Sequence, residues 1–181
     1  GGQAIAEILF GKVNPSGKLP ITFPRSVGQI QTVYNHKASQ YSRKFALTTT
    51  GPLYHFGYGL SYTTFEYGNP VLSKDTIHTN EAVTVSFELA NTGFCQGTEI
   101  AQLYIQDEYG TVTRPVKELK GFQRITLNPG EKQRVSFLIT PDKLAFFTSG
   151  KKYEVEPGSF KIMVGASSRE QDLKIVSLMV K

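Results

Sequence analysis

Alternation of apolar and polar residues, which begins near residue 70 and continues to the end of the sequence, constrains the fold more than any other feature. In residues 82–90, for example, Val83, Val85, Phe87 and Leu89 fall on one face of an extended chain. A period of two is typical of a β-strand that buries one face and exposes the other. The pattern predicts half-buried strands at residues 82–90, 99–106, 118–127, 132–139, 159–166 and 173–180.

Turn residues separate these strand candidates. Asn-Thr-Gly at 91–93, Asn-Pro-Gly at 128–130 and Glu-Pro-Gly at 156–158 supply the backbone angles that tight turns require. With a first strand near residues 70–73, the pattern predicts about seven strands and no helix of note. We therefore expect a mainly β fold, an immunoglobulin-like or fibronectin-III-like antiparallel sandwich. The single cysteine, Cys95, and the absence of Trp argue against an antibody-type domain.

The first 25 residues follow a different pattern. Ile5, Ile8 and Leu9 recur at helical spacing, and Gly11 suits the left-handed position that ends a helix. A short apolar run at residues 19–24 reads as a strand. One helix and one strand cannot bury their own apolar faces, so this region predicts the remnant of a larger α/β sandwich domain. We expect its apolar stripe to be disordered, or buried against a neighbouring chain, when this piece is studied alone.

A polar stretch from residue 25 to residue 50 shows little periodicity. A long stretch of this kind predicts an extended arm over another domain, or a mobile loop. The predicted organisation is therefore an α/β remnant at residues 1–25, a connector at 26–68 and a β-sandwich at 69–181.

Charge and composition exclude several classes of function. The net charge is +5, but its densest basic stretches, such as Lys151 and Lys152, are only pairs, and no basic stripe for nucleic acid is present. A lone cysteine allows no internal disulfide and no zinc site with several thiolates. We expect no cofactor and no metal site. The sequence shows no apolar run long enough to span a membrane and no leader at Gly1.

Several strings resemble the C-terminal region of family 3 glycoside hydrolases, the β-glucosidase and β-xylosidase group. They are GGQAIAEILFG at residues 1–11, VNPSGKLPITFP at 13–24, LYHFGYGLSYTTF at 53–65, ELKGF at 118–122 and EPGSF at 156–160. Their order and spacing match the family over essentially the whole chain. The resemblance implies a parent with a barrel, an α/β sandwich and a fibronectin-III-like domain, whose partner is a carbohydrate substrate.

The same resemblance implies that the catalytic residues lie elsewhere in the parent. The nucleophilic aspartate belongs to a Ser-Asp-Trp-like motif of the barrel and the acid/base to the middle domain, upstream of Gly1, so we expect no catalytic residue in this chain. We expect the missing barrel and α/β domains to be its partners. The sequence is compatible with a periplasmic, secreted or cytoplasmic parent.

Other side chains with chemical potential have ordinary explanations. The carboxylates of Asp107 and Glu108, and those of Glu154 and Glu156, fit solvated surface charge better than a catalytic pair. The three histidines, His36, His55 and His78, are far apart in sequence, and Cys95 has no neighbouring base. Arg114 and Lys117 could reach a ligand or another domain, and an exposed loop pair is the plainer interpretation.

An aromatic and glycine-rich cluster is the most informative candidate site. We interpret it as an interdomain anchor, with large rings that bury area and glycines that allow close approach. Its members are Tyr54, Phe56, Gly57, Tyr58, Gly59, Tyr62 and Phe65. Two alternatives stay open: a module that binds polysaccharide through exposed rings such as Tyr54 and Tyr58, and a protein-interaction module of the fibronectin type.

Overall fold

The computed structural model describes residues 1–29, 31–38 and 49–181, so the predicted arm at 25–50 falls partly outside the described residues. The chain begins with helix α1 (Gly2–Leu9). The strands and the second helix follow in order: β1 (Phe65–Tyr67), β2 (Val71–Leu72), β3 (Thr76–Ile77), β4 (Val83–Asn91), β5 (Gly97–Asp107), β6 (Glu118–Leu127), β7 (Lys132–Ile139), α2 (Pro141–Leu144), β8 (Phe146–Phe147), β9 (Tyr153–Glu154), β10 (Gly158–Gly165) and β11 (Leu173–Val180).

Two main sheets form the predicted β-sandwich. In the first sheet β4 pairs with β1 and β2 on one side and with β7 on the other. The second has the order β3-β11-β10-β5-β6, in which only β3 and β11 are parallel. Strands β8 and β9 form a separate small hairpin. The mainly β fold predicted from the alternation is confirmed.

The core lies between the two sheets, where alternate residues of both meet. On β7, Val135, Phe137 and Ile139 are buried while the residues between them are exposed. Leu103 on β5 and Ile162 on β10 are fully buried from the other side. Removing apolar side chains from water in this way is the main source of stability in a domain of this kind.

Strand β5 does not follow the predicted half-buried pattern. Gln102 and Tyr104 point away from the core, yet they are only 3% and 0% exposed. Tyr34 and Phe56 pack against the second apolar cluster, to which Tyr104 belongs, so the connector covers the outer face of the second sheet. The prediction was wrong here because the covering residues are distant in sequence.

Helix α1 ends as predicted, with Gly11 in the left-handed region at φ 74°. Its apolar stripe is largely uncovered, with Ile5 at 61% and Leu9 at 72% exposure. The run at residues 19–24 was predicted to be a strand and forms only an isolated bridge, between Phe23 and Tyr54. Residues 19–24 form no regular strand because the segment they pair with, around Tyr54, is a loop.

A pair of matched leucine substitutions tests the assignment of the core. We expect Leu103→Ala to lower the free energy of unfolding by about 2–5 kcal/mol, because it leaves a cavity in a fully buried site. Leu138 on β7 is 55% exposed, so Leu138→Ala should cost less than about 1 kcal/mol. Urea unfolding measures both values, and similar losses in the two variants would contradict the assigned core.

Candidate functional site

The docking segment, defined here as residues 54–65, pairs with the chain that follows α1. The Leu19 N–H donates to the Tyr58 carbonyl, and the Gly57 N–H donates to the Leu19 carbonyl, both at 2.8 Å. Further along, the Phe23 N–H donates to the Tyr54 carbonyl at 2.9 Å. Because peptide groups lose their water when segments pack, these bonds fix the position of residues 19–23.

The same segment lies on the outer face of the second sheet. The Gln102 Nε2 group donates to the Gly57 carbonyl at 3.2 Å and to the Ala166 carbonyl at 2.6 Å. On the other side, the Ser168 N–H donates to the Phe56 carbonyl at 2.9 Å. A buried amide needs hydrogen-bond partners, and the docking segment supplies one of those that Gln102 uses.

Aromatic stacking adds to these polar contacts. Phe56 stacks on Tyr34, with ring centroids 4.2 Å apart, and Tyr34 meets the edge of Tyr104 at 5.9 Å. The Leu119 N–H donates to the Tyr34 hydroxyl at 3.2 Å. Rings in these geometries gain more than the area they bury. The connector is therefore attached to β5 and β6 by both packing and hydrogen bonds.

Asn14 makes a second attachment that sequence reasoning missed. Its Oδ1 accepts from the Tyr62 N–H at 2.8 Å and its Nδ2 donates to the Gln96 carbonyl at 2.9 Å. The Tyr62 hydroxyl also donates to the Ile8 carbonyl at 2.6 Å. Asn14 lies within the string at residues 13–24, and no local pattern there indicates contacts this distant.

The predicted anchor residues fall into two groups. Phe56 and Phe65 are half-buried, and Phe65 packs against the core from β1. Tyr54 and Tyr62 are still 44% and 42% exposed, and Tyr54 stacks on Tyr58 at 5.4 Å. Their role between domains stays a prediction.

The two glycines of the cluster lie where a side chain does not fit. Gly57 has φ 78°, and a Cβ there would lie 2.1 Å from Gln102 Oε1. At Gly59 a Cβ would lie 2.3 Å from the Gly17 carbonyl oxygen. Close approach of the docking segment therefore requires glycine at both positions.

An open cleft of ≈ 570 Å³ lies between the connector, the residues before β6 and the turn between β10 and β11. His36, His55, Lys117, Arg169 and Glu170 line it. Burial lowers the pKa of both histidines below the ordinary value, and the Arg169 charge adds to the effect at His55. Burial also lowers the pKa of Lys117. The cleft thus disfavours additional positive charge.

Of the predicted exposed loop pair, Lys117 is buried and Arg114 is half-buried. Lys117 is 8% exposed because the connector packs over it, and its Nζ donates to the Ser168 carbonyl at 2.9 Å. The Arg114 guanidinium lies 4.4 Å from the centre of the Phe146 ring and pairs with Glu118. The plainer interpretation of this pair was therefore wrong.

The candidate carboxylates are engaged in local contacts. Glu108 pairs with Lys161 at 2.9 Å, and Glu156 accepts from the Thr111 N–H at 2.8 Å. Asp107 is buried, contrary to the surface prediction, and burial raises its pKa. Asp107 is the last residue of β5, and its side chain is covered by Arg114, whose Nε lies 3.9 Å from Asp107 Oδ2.

Within residues 1–29, 31–38 and 49–181, no group of three or more His, Cys, Asp or Glu side chains could hold a metal ion. Neither helix in the described part of the chain has the length and apolar character of a membrane span.

Gly57→Ala tests the close approach of the docking segment. We expect it to lower the free energy of unfolding by on the order of 1–3 kcal/mol, because alanine is strained at this φ and meets Gln102. Gly150→Ala is the control, since its nearest neighbour, Thr148 Oγ1, would lie 3.7 Å from the new Cβ. Thermal or urea unfolding of both variants gives the comparison, and equal losses would count against the docking geometry.

The lowered pKa of His55 predicts a pH-dependent stability. Arg169, Lys117, Asp172 and Glu170 all act on it, and burial is the largest effect. As pH falls through the ordinary value of 6.5, the unfolded chain binds a proton before the folded chain does, so stability is lost. Above that value the loss is absent.

We expect His55→Gln to reduce the loss of unfolding free energy between about pH 8 and about pH 5. Exposed His78, which lies outside the cleft, provides the matched control His78→Gln. An unchanged pH profile in His55→Gln would show that this imidazole does not carry the effect.

Comparisons with known proteins identify the family domains and the relatives that this chain resembles. The model of the glycosyl hydrolase family 3 C-terminal domain matches residues 1–62, and the fibronectin type III-like domain model matches residues 99–168. The periplasmic β-glucosidase of Salmonella typhimurium is 48% identical over 93% of this chain and 23% of its own length. A β-xylosidase of Formosa agariphila is 48% identical over 99% of this chain and 25% of its own length.

Solved structures give the same result. A β-glucosidase from Erythrobacter marinus is 42% identical with a TM-score of 0.95, covering 100% of this chain and 24% of that one. The β-glucosidase from Listeria innocua in complex with glucose is 33% identical with a TM-score of 0.91, over 99% of this chain and 26% of that one. The chain thus spans about a quarter of the length of its relatives. The family models, relatives and structures together show that the chain matches the C-terminal region of glycosyl hydrolase family 3 proteins.

Proposed function

We propose that this chain is the C-terminal scaffold of a retaining β-glycosidase that hydrolyses β-linked glucosides or related oligosaccharides, and that it is not catalytic by itself. One observation carries the proposal. The chain aligns over 93% and 99% of its length with proteins named β-glucosidase and β-xylosidase, yet it spans only 23% and 25% of them. The reaction centre then lies in the remaining part of the parent.

The engagement of the carboxylates supports this proposal. A retaining glycosidase uses two carboxyl groups about 5 Å apart, one as nucleophile and one as proton donor. Glu108 forms an ion pair with Lys161 and accepts a hydrogen bond from the Ser159 hydroxyl. Glu156 accepts hydrogen bonds from the N–H and the hydroxyl of Thr111. These contacts are typical of carboxylates that hold loops in place.

The scaffold has two proposed surfaces. The docking segment holds residues 1–25 against the sandwich at 69–181, through the contacts of Gly57 and Asn14. The stripe of α1, with Ile5 at 61% and Leu9 at 72% exposure, then faces the barrel and α/β domains of the same parent. Covering this stripe would remove an apolar patch from water, which gives the association its driving force.

Hydrolysis of 4-nitrophenyl β-D-glucoside tests the proposal. The parent protein is expected to release nitrophenol, and the chain of 181 residues alone to release none above the uncatalysed background. The chain should also migrate unretarded through gels containing soluble glucan, which separates a scaffold from a polysaccharide-binding module. Hydrolysis by the chain alone would contradict the proposal, as would retardation lost in a Tyr54→Ala, Tyr58→Ala variant.

A further inference from the structure

Lys117, at the wall of the cleft, is a buried cation that lacks a close carboxylate partner. Its Nζ makes a hydrogen bond to the Ser168 carbonyl at 2.9 Å, and no ion pair joins it to another of the described residues. Lys18 provides the contrast, because its ammonium pairs with Glu99 at 2.7 Å. A carbonyl fills one of the three donors of an ammonium group and does not neutralise its charge.

The connector offers little negative charge, because Glu66 is the one acidic residue in its sequence. Residues 8–65 contain no Asp or Glu. They contain six basic residues, namely Lys12, Lys18, Arg25, Lys37, Arg43 and Lys44. Since residues 8–65 carry no carboxylate, the counter-charge must come from the sandwich, from another part of the protein or from a ligand.

The sandwich supplies little of it. Asp172 accepts from Ser167 at 2.6 Å and from the Arg169 Nε at 3.0 Å. Glu170 is exposed, and it acts on Lys117 from beyond ion-pair distance. The positive charge of Lys117 is therefore only partly balanced, which is costly for a buried group.

A second group in the cleft is also unsatisfied. Ser168 is 4% exposed, and its Oγ has no hydrogen-bond partner. Buried polar groups nearly always have one, so this hydroxyl has an unused donor that a bound water or a ligand can satisfy. The His55 ring lines the same cleft. The cleft has a volume of ≈ 570 Å³, which is in the range of small-molecule sites.

We propose that this cleft binds a small oxyanion, with Lys117 as the counter-ion and with the Ser168 hydroxyl and the His55 ring as hydrogen-bond donors. The ligand is a carboxylate, sulfate or phosphate group, either free or carried by an acidic sugar. Such a group offers several acceptor lone pairs to the unused donors and balances the buried charge. The proposal goes beyond the scaffold function and does not depend on it.

The test measures thermal unfolding and calorimetric titration with inorganic phosphate, sodium sulfate and sodium glucuronate at constant ionic strength. Neutral glucose and sodium chloride are the controls. We expect a saturable rise in the unfolding temperature with at least one oxyanion, as mass action requires for a ligand of the folded state. Stronger binding of glucuronate than of the inorganic ions would identify an acidic sugar, and the reverse a free ion.

Variants assign the effect to the cleft. Lys117→Met should abolish it, whereas Lys143→Met should not, although Lys143 also donates to a backbone carbonyl, that of Leu138, at 2.6 Å. Ser168→Ala should weaken binding about threefold to tenfold and leave the free protein equally stable or more so, because the hydroxyl has no partner. Glu170→Gln should tighten binding by removing a competing negative charge.

If Lys117→Met does not unfold cooperatively, Ser168→Ala decides the question. Saturable binding that is weaker in Ser168→Ala and unchanged in Lys143→Met supports the site. No saturable response to any of the three anions would overturn the proposal, and so would a response of equal strength in Lys117→Met or Ser168→Ala.

Discussion

The attachment of the connector to the sandwich depends on the side chain of Gln102, a polar group buried on the outer face of a sheet. Its amide is satisfied by the carbonyls of Gly57 and Ala166, so one residue of β5 joins the docking segment to the end of β10. An unsatisfied amide in that position would cost as much as several favourable contacts return. The close approach of Gly57, the stacking of Phe56 on Tyr34 and the bond from Ser168 all accompany this arrangement.

The sequence predicts the sandwich well because its strands carry their own signal. Strands β6, β7 and β11 have the predicted bounds, and the Asn-Pro-Gly turn at 128–130 marks the boundary between β6 and β7. Strand β2 lies within the predicted first strand near residues 70–73, whereas the other strands of two or three residues, such as β3 and β8, are too short to show a period and were not predicted. Burial of Tyr104 on the outer face was missed, because it depends on Tyr34, which is 70 positions away in the printed sequence.

The sequence predicted which residues form the candidate site, but it did not predict which residues they contact. Rings and glycines at 54–65 identify a segment that packs closely, but they do not indicate its partners. Asn14 and Gln102 are ordinary polar residues until the fold brings them to Tyr62 and Gly57. The burial of Lys117 was likewise invisible, because a lysine in a loop is exposed unless a distant segment covers it. Period and turn chemistry are local properties, whereas these contacts are set by topology.

The contacts of Asn14 also have a consequence for the order in which the chain folds. They join it to residues 48 and 82 positions along the chain, and the second partner, Gln96, lies just before β5. Closing loops of this length costs entropy that only an already formed surface repays. The loop-closure cost therefore favours attachment of the N-terminal segment once the sheets have assembled, which makes its contacts the ones most sensitive to an incomplete sandwich.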